Sequence, residues 1–115
     1  MNRFQKRIKE FSDERDWNQF HNPKDLLLGI VEEVGKIRNL VKWEQDAGKI
    51  QKVMKKNEEL EDNIGDIYWF LALLANSNGI DIDNAIEKVI ARNEKRFPVS
   101  SVRSVHTNDN IGKIE

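Results

Sequence analysis

The sequence predicts an all-α fold, a four-helix bundle over residues 1–98 that is completed by homo-oligomerisation, and three observations carry that expectation. Apolar side chains recur at three- and four-residue intervals in four separate segments, the period of a helix with one buried stripe. Only two prolines and six glycines interrupt the chain. Charged residues reach 34% against 38% hydrophobic, which suits helices with a polar outer face.

The first segment places Phe4, Ile8 and Phe11 on one stripe, with lysines, arginines and glutamates filling the rest. After it, RDWNQFHNP crowds two aromatics and His21 before Pro23; Asn22 is a natural N-cap and Pro23 fits the first helical turn. The second helix then carries Leu26, Leu27, Ile30, Val34, Ile37 and Val41 to near Trp43, with a break expected at AGK, 47–49. Gly29 and Gly35 cost about 1 kcal/mol each against Ala inside it, so they are expected to permit close approach of another backbone. The charged stretch KIQKVMKKNEELED reads as a frayed extension or a linker. The third helix, about 57–77, carries Leu60, Ile64, Ile67, Leu71 and Leu74 and stops at NSNG. Asp81 or Asp83 caps the fourth, with Ile82, Ile86, Val89 and Ile90, which ends before Pro98. Residues 99–115 lack a period and are expected to form a loosely held tail.

Bulk charge narrows the functions. With 19 basic and 20 acidic side chains the chain has no global field for nucleic acid or an anionic membrane. The absence of cysteine removes disulfides and thiolate metal sites, and no run approaches ~18 apolar residues, so a cytoplasmic protein is expected.

Chemistry is expected where the second and third helices meet. Glu33 and Lys36 lie three residues apart on one face, as do Asn63 and Asp66 on the other helix. If the two helices run antiparallel, these four side chains converge. Carboxylates at all four corners could hold Mg²⁺, a hard cation that takes oxygen ligands and usually bridges to substrate phosphates.

The strings ERDWNQFHNPKDLLLGIVEEVGK, DNIGDIYWFLALLANSNGIDI and KVIARNEKRFP resemble the MazG-type all-α nucleotide pyrophosphohydrolases, most closely their dCTP-pyrophosphatase-like branch, over about residues 4–98. That resemblance implies a Mg²⁺-dependent hydrolase that removes surplus or non-standard dNTPs as monophosphate and pyrophosphate, built as a homodimer or homotetramer. It implies metal-binding and catalytic roles for Glu33 and Asp66 within an E-x-x-E…E-x-x-D signature whose second and third acids fall here on Lys36 and Asn63. Where the family has four carboxylates, these four side chains sum to one negative charge. A slightly rotated site could recruit Asp62 and Glu32. Alternatively the nucleotide brings its own Mg²⁺, or Lys36 is a built-in counter-ion in a degenerate member that binds nucleotide, or only itself, without hydrolysis.

The resemblance also implies that Trp17, His21 and Trp43 surround the nucleobase, offering rings to its π-face. On spacing alone the tryptophans read rather as core or dimer-interface aromatics, and the matched strings around them turn that reading toward the base; His21 reads equally as a capping or loop histidine. Lys88, Asn93 and Arg96 match the family's phosphate-contacting end; a solvated basic helix terminus is the plain alternative. Phe70 stands one turn after Asp66, where relatives tend to carry Tyr.

Overall fold

Residues 1–104 are described by a computed structural model of the chain, apart from the side chain of Lys56. Their elements are α1 (Arg3–Glu14), a 3-10 turn (Asn18–Phe20), α2 (Pro23–Asn39), α3 (Ala47–Lys56), α4 (Glu59–Ser77), α5 (Ile82–Arg96) and α6 (Val99–Val102). The described residues are thus all-helical. The four long helices stand where the apolar period puts them, but two further helices join them.

Local chemistry sets the ends. Asn2 caps α1 by accepting from the Gln5 amide at 2.8 Å. Asn22 accepts from the Lys24 amide at 2.8 Å with Pro23 in the first turn of α2, and Asp81 accepts from the Asp83 amide at 3.0 Å to start α5. α2 stops at Asn39 and 41–43 form a turn, so the helix ends short of Trp43. The stretch read as a frayed extension or linker instead forms most of α3 and the first turn of α4; α3 is started by Asp46, whose carboxylate accepts from the Lys49 amide at 3.0 Å, and takes in the AGK read as a break. Its amphipathic turns hold Ile50 and Met54 half-buried, and none of its described side chains is fully buried. α4 begins without a side-chain cap but with Glu59, Glu61 and Asp62 in its first turn, acids that favour the positive end of the helix dipole. Gly79 at φ 65° supplies the left-handed residue that closes the α4–α5 turn. The tail expected to be loose from 99 opens with the single turn of α6, and 105–115 lie outside the described residues.

α4 is the spine, and α1 and α2 pack along it. Ile8, Leu26, Ala72 and Leu73 form the buried centre, with Tyr68, Trp69, Phe70, Leu74 and Ile82 against it. A polar clamp reinforces this core. Gln5 is fully buried; its Nε2 donates to Asn76 Oδ1 at 2.9 Å and to the Ile80 carbonyl at 2.7 Å, and its Oε1 accepts from the Ile82 amide at 2.9 Å. One side chain therefore ties α1 to the α4–α5 turn.

Several apolar residues, some of them on the expected stripes, face outward. Leu27, Leu28, Val31 and Val34 on α2, Ile64 and Leu71 on α4, and Ile86 and Ile90 on α5 are exposed, and α5 has no buried residue. Gly29 does allow a close approach, but of a side chain: a Cβ there would sit 2.9 Å from the Phe70 ring. Gly35 has nothing within 4 Å of such a Cβ. Gly29→Val is expected to destabilise the fold by about 1–3 kcal/mol, because the ring must move out of a packed interface; a chemical-denaturation midpoint equal to wild type would contradict that packing.

Candidate active site

The α2–α4 seam sets the site's geometry. Gly29 on α2 meets Phe70 on α4, and seven residues further along α2 the charge on Lys36 is felt by Asp66, four residues back along α4. The helices therefore run antiparallel, and the four positions expected to converge share one stretch of the seam.

Glu33 falls two turns after the buried Leu26 and so on the same inward face. It is only 8% exposed. Its Oε1 accepts from Lys36 Nζ at 2.8 Å, while its Oε2 is enclosed without a hydrogen-bond partner. Lys36 climbs outward, its side chain 62% exposed. Opposite, Asn63 is buried at 9% exposure, whereas Asp66, Asp62 and Glu32 are exposed.

The hydrogen bond to Glu33, then that carboxylate's charge, lift the Lys36 ammonium above the ordinary lysine range against a smaller opposing effect of burial; Asp66 and Glu32 add weaker attraction. A raised lysine value means that the pair's contribution is fully present below the ordinary value and is lost as pH rises through the raised one. At neutral pH this ammonium is charged.

This donor set does not fit a resident Mg²⁺. Its four corners offer one buried carboxylate already bonded to an ammonium, one neutral amide and one exposed acid, and the neighbouring Glu32 and Asp62 are exposed, where a resident divalent ion needs several anionic oxygens held together. Among the described residues no three carboxylate, imidazole or thiol groups are grouped to hold a metal ion.

The aromatic candidates are dispersed. Trp17 packs edge-on against Phe11, ring centres 5.5 Å apart, and Phe11 also meets Trp69 edge-on at 5.2 Å. Trp43 is 85% exposed in the turn after α2, with Lys42 Nζ 5.1 Å from its ring centre. His21 lines a polar cavity of about 410 Å³ with Lys9, Asp13, Asn18, Asn76 and Ser77. There Asp13 accepts from Lys9 at 2.7 Å and Asn18 at 2.6 Å, bonds that hold its carboxyl below the usual range, Lys9 most strongly. Sequence reading missed these walls, though Asn18 lies within the string that drew attention to His21.

On α5, Lys88 lines a cavity of about 520 Å³ with Asp81, Asn84 and Arg92. Asn93 and Arg96 lie off that cavity. The Oδ1 of Asn93 is buried without a partner, and the Arg96 guanidinium sits 5.7 Å from the Phe97 ring. Within one chain, then, the seam assembles Glu33, Lys36 and Asp66, while the base and phosphate candidates are spread over separate surfaces.

The MazG nucleotide pyrophosphohydrolase domain matches residues 21–100, and the chain belongs to that family. It is similar to dCTP pyrophosphatase 1 of Rattus norvegicus, 37% identical over 92 residues, covering 78% of this chain and 54% of that protein. The human dCTP pyrophosphatase 1 is 34% identical over 97 residues, covering 83% of the chain and 57% of the relative. The chain thus spans little more than half the length of these relatives. Among solved structures, a pyrophosphatase from Archaeoglobus fulgidus superposes with a TM-score of 0.70 at 27% identity, covering 79% of this chain and 85% of that one.

Proposed function

We propose that this chain hydrolyses nucleoside triphosphates to monophosphate and pyrophosphate at the α2–α4 seam, removing surplus or non-standard dNTPs from the cytoplasmic pool. The observation that carries the reading is the family match over 21–100, which takes in Glu33 and Asp66. Support comes from the seam's own chemistry. The partnerless Oε2 of Glu33 is an acceptor that can take a proton from an attacking water, whose oxygen bonds to phosphorus as the bridging P–O bond breaks and pyrophosphate leaves. Lys36 Nζ spends one hydrogen on Glu33 and has two left for phosphate oxygens. Mg²⁺ enters as part of the nucleotide substrate. Trp17, His21 and Trp43 are proposed to frame the base, and Lys88, Asn93 and Arg96 to meet the phosphates.

Because those groups are dispersed in one chain, the reading includes assembly into a homodimer or homotetramer through the exposed apolar faces of α2, α4 and α5. Val31 is 65% exposed. Val31→Glu should therefore leave the single chain folded yet break the assembly, since burying an unpaired carboxylate is costly. Light scattering is expected to show wild type as two or more chains and the variant as one; a wild-type monomer contradicts the assembly.

A second reading, nucleotide binding without hydrolysis, is favoured by the Lys36–Glu33 bond and by Asn63. Anion-exchange analysis after incubation with Mg²⁺ and dCTP separates the readings. Equal amounts of dCMP and pyrophosphate are expected; dCDP with phosphate, or unchanged dCTP, would refute hydrolysis at the proposed bond.

A further inference from the structure

We infer that the Lys36 ammonium is the resident cation of this seam: the chain holds no divalent ion of its own and receives the triphosphate directly on Lys36. The inference rests on the proposed function for the identity of the ligand. Its metal half stands on the side chains alone.

Glu33 is 8% exposed, and a carboxylate so enclosed is costly unless a counter-charge reaches it. Lys36 supplies that charge at 2.8 Å. A dication entering beside Glu33 would meet the ammonium at close range and would have to displace it, an arrangement opposed by Coulomb repulsion. Asn63 cannot compensate, because a neutral amide brings an acceptor dipole but no negative charge. No group of three potential metal ligands stands elsewhere among the described residues.

The same geometry prepares the lysine for an anion. Its ammonium donates one hydrogen to the buried acid while the side chain as a whole is 62% exposed, so the ammonium is held in place with two hydrogens left for an anion. A fixed ammonium loses less freedom on meeting a phosphate than a solvated lysine does, and charge-assisted bonds of this kind are among the stronger ones. Glu33 is thus also the positioning residue for Lys36.

Two titrations of the nucleotide-free, full chain test this. Calorimetry with Mn²⁺ alone is expected to show no saturable uptake by wild type, whereas Lys36→Glu combined with Asn63→Glu, which restores carboxylates at all four corners, is expected to bind the ion saturably. Titration with α,β-methylene-dCTP in EDTA is expected to saturate wild type and Lys36→Arg, and to weaken at least ~10-fold in Lys36→Gln. Stoichiometric Mn²⁺ binding by wild type, or nucleotide binding that EDTA abolishes, overturns the inference and leaves the proposed function standing. No nucleotide binding with or without Mg²⁺ overturns the proposed function and the lysine's part in phosphate recognition. Should Lys36→Gln fail to fold by circular dichroism, the wild-type Mn²⁺ titration decides the metal question by itself.

Discussion

Glu33→Gln should lower pyrophosphate release by at least ~100-fold while leaving the chain folded. The substitution keeps the shape of a side chain that is 8% exposed and removes its charge. Two consequences follow from the seam's geometry. The acceptor at Oε2, free of any partner, becomes a group that cannot take a proton from water, and general-base assistance of this kind contributes about 10²–10⁴-fold. The Lys36 ammonium also loses the carboxylate that fixes it at 2.8 Å, so its elevated proton affinity falls back toward the ordinary lysine value. A neutral amide is tolerated in the seam, as the buried Asn63 on the facing helix shows. Full activity in Glu33→Gln would place the proton acceptor elsewhere.

The second large effect concerns the fold. Gln5→Ala should cost about 3 kcal/mol, because it removes a fully buried side chain together with three hydrogen bonds that join α1 to the α4–α5 turn. The Ile80 carbonyl and the Ile82 amide would lose their side-chain partner. In a domain of this size that loss lowers the midpoint of thermal unfolding by roughly 10–20 °C. Thermal denaturation followed by circular dichroism checks it. A shift of only a degree or two would mean that the clamp is not what holds α1 in place.

Much of the fold was legible because its signals are local. Asn22 with Pro23, and an aspartate before an apolar period, act within one helical turn; the structure places the first cap as read and, of Asp81 and Asp83, makes Asp81 the second. The pairing of Glu33 with Lys36 was legible for the same reason, since three residues on a helix fix two side chains on one face. α3 was not. Its lysine-rich face and the glycine in its first turn resemble a linker, and the decisive contribution is a single capping aspartate whose effect depends on the conformation it stabilises.

Gln5 was missed because an apolar period marks hydrophobic positions only, and a polar residue in the core leaves no trace in it. Leu27, Val34, Ile64 and Leu71 show the opposite limit. Periodicity shows which side chains avoid water, but not whether their own chain or another copy covers them. The site divides in the same way. Its α2–α4 half follows from spacing and packing, whereas Trp43, Lys88 and Arg96 stand on separate surfaces that within-chain spacing does not relate.

Pyrophosphate release from a panel of dNTPs and modified dNTPs, each supplied with Mg²⁺ to the folded wild-type chain, tests the central claim most directly. The account predicts release that rises with nucleotide concentration to saturation. No release from any nucleotide of the panel would contradict it, leaving a seam in which the Lys36–Glu33 pair has ended the chemistry and kept only the fold.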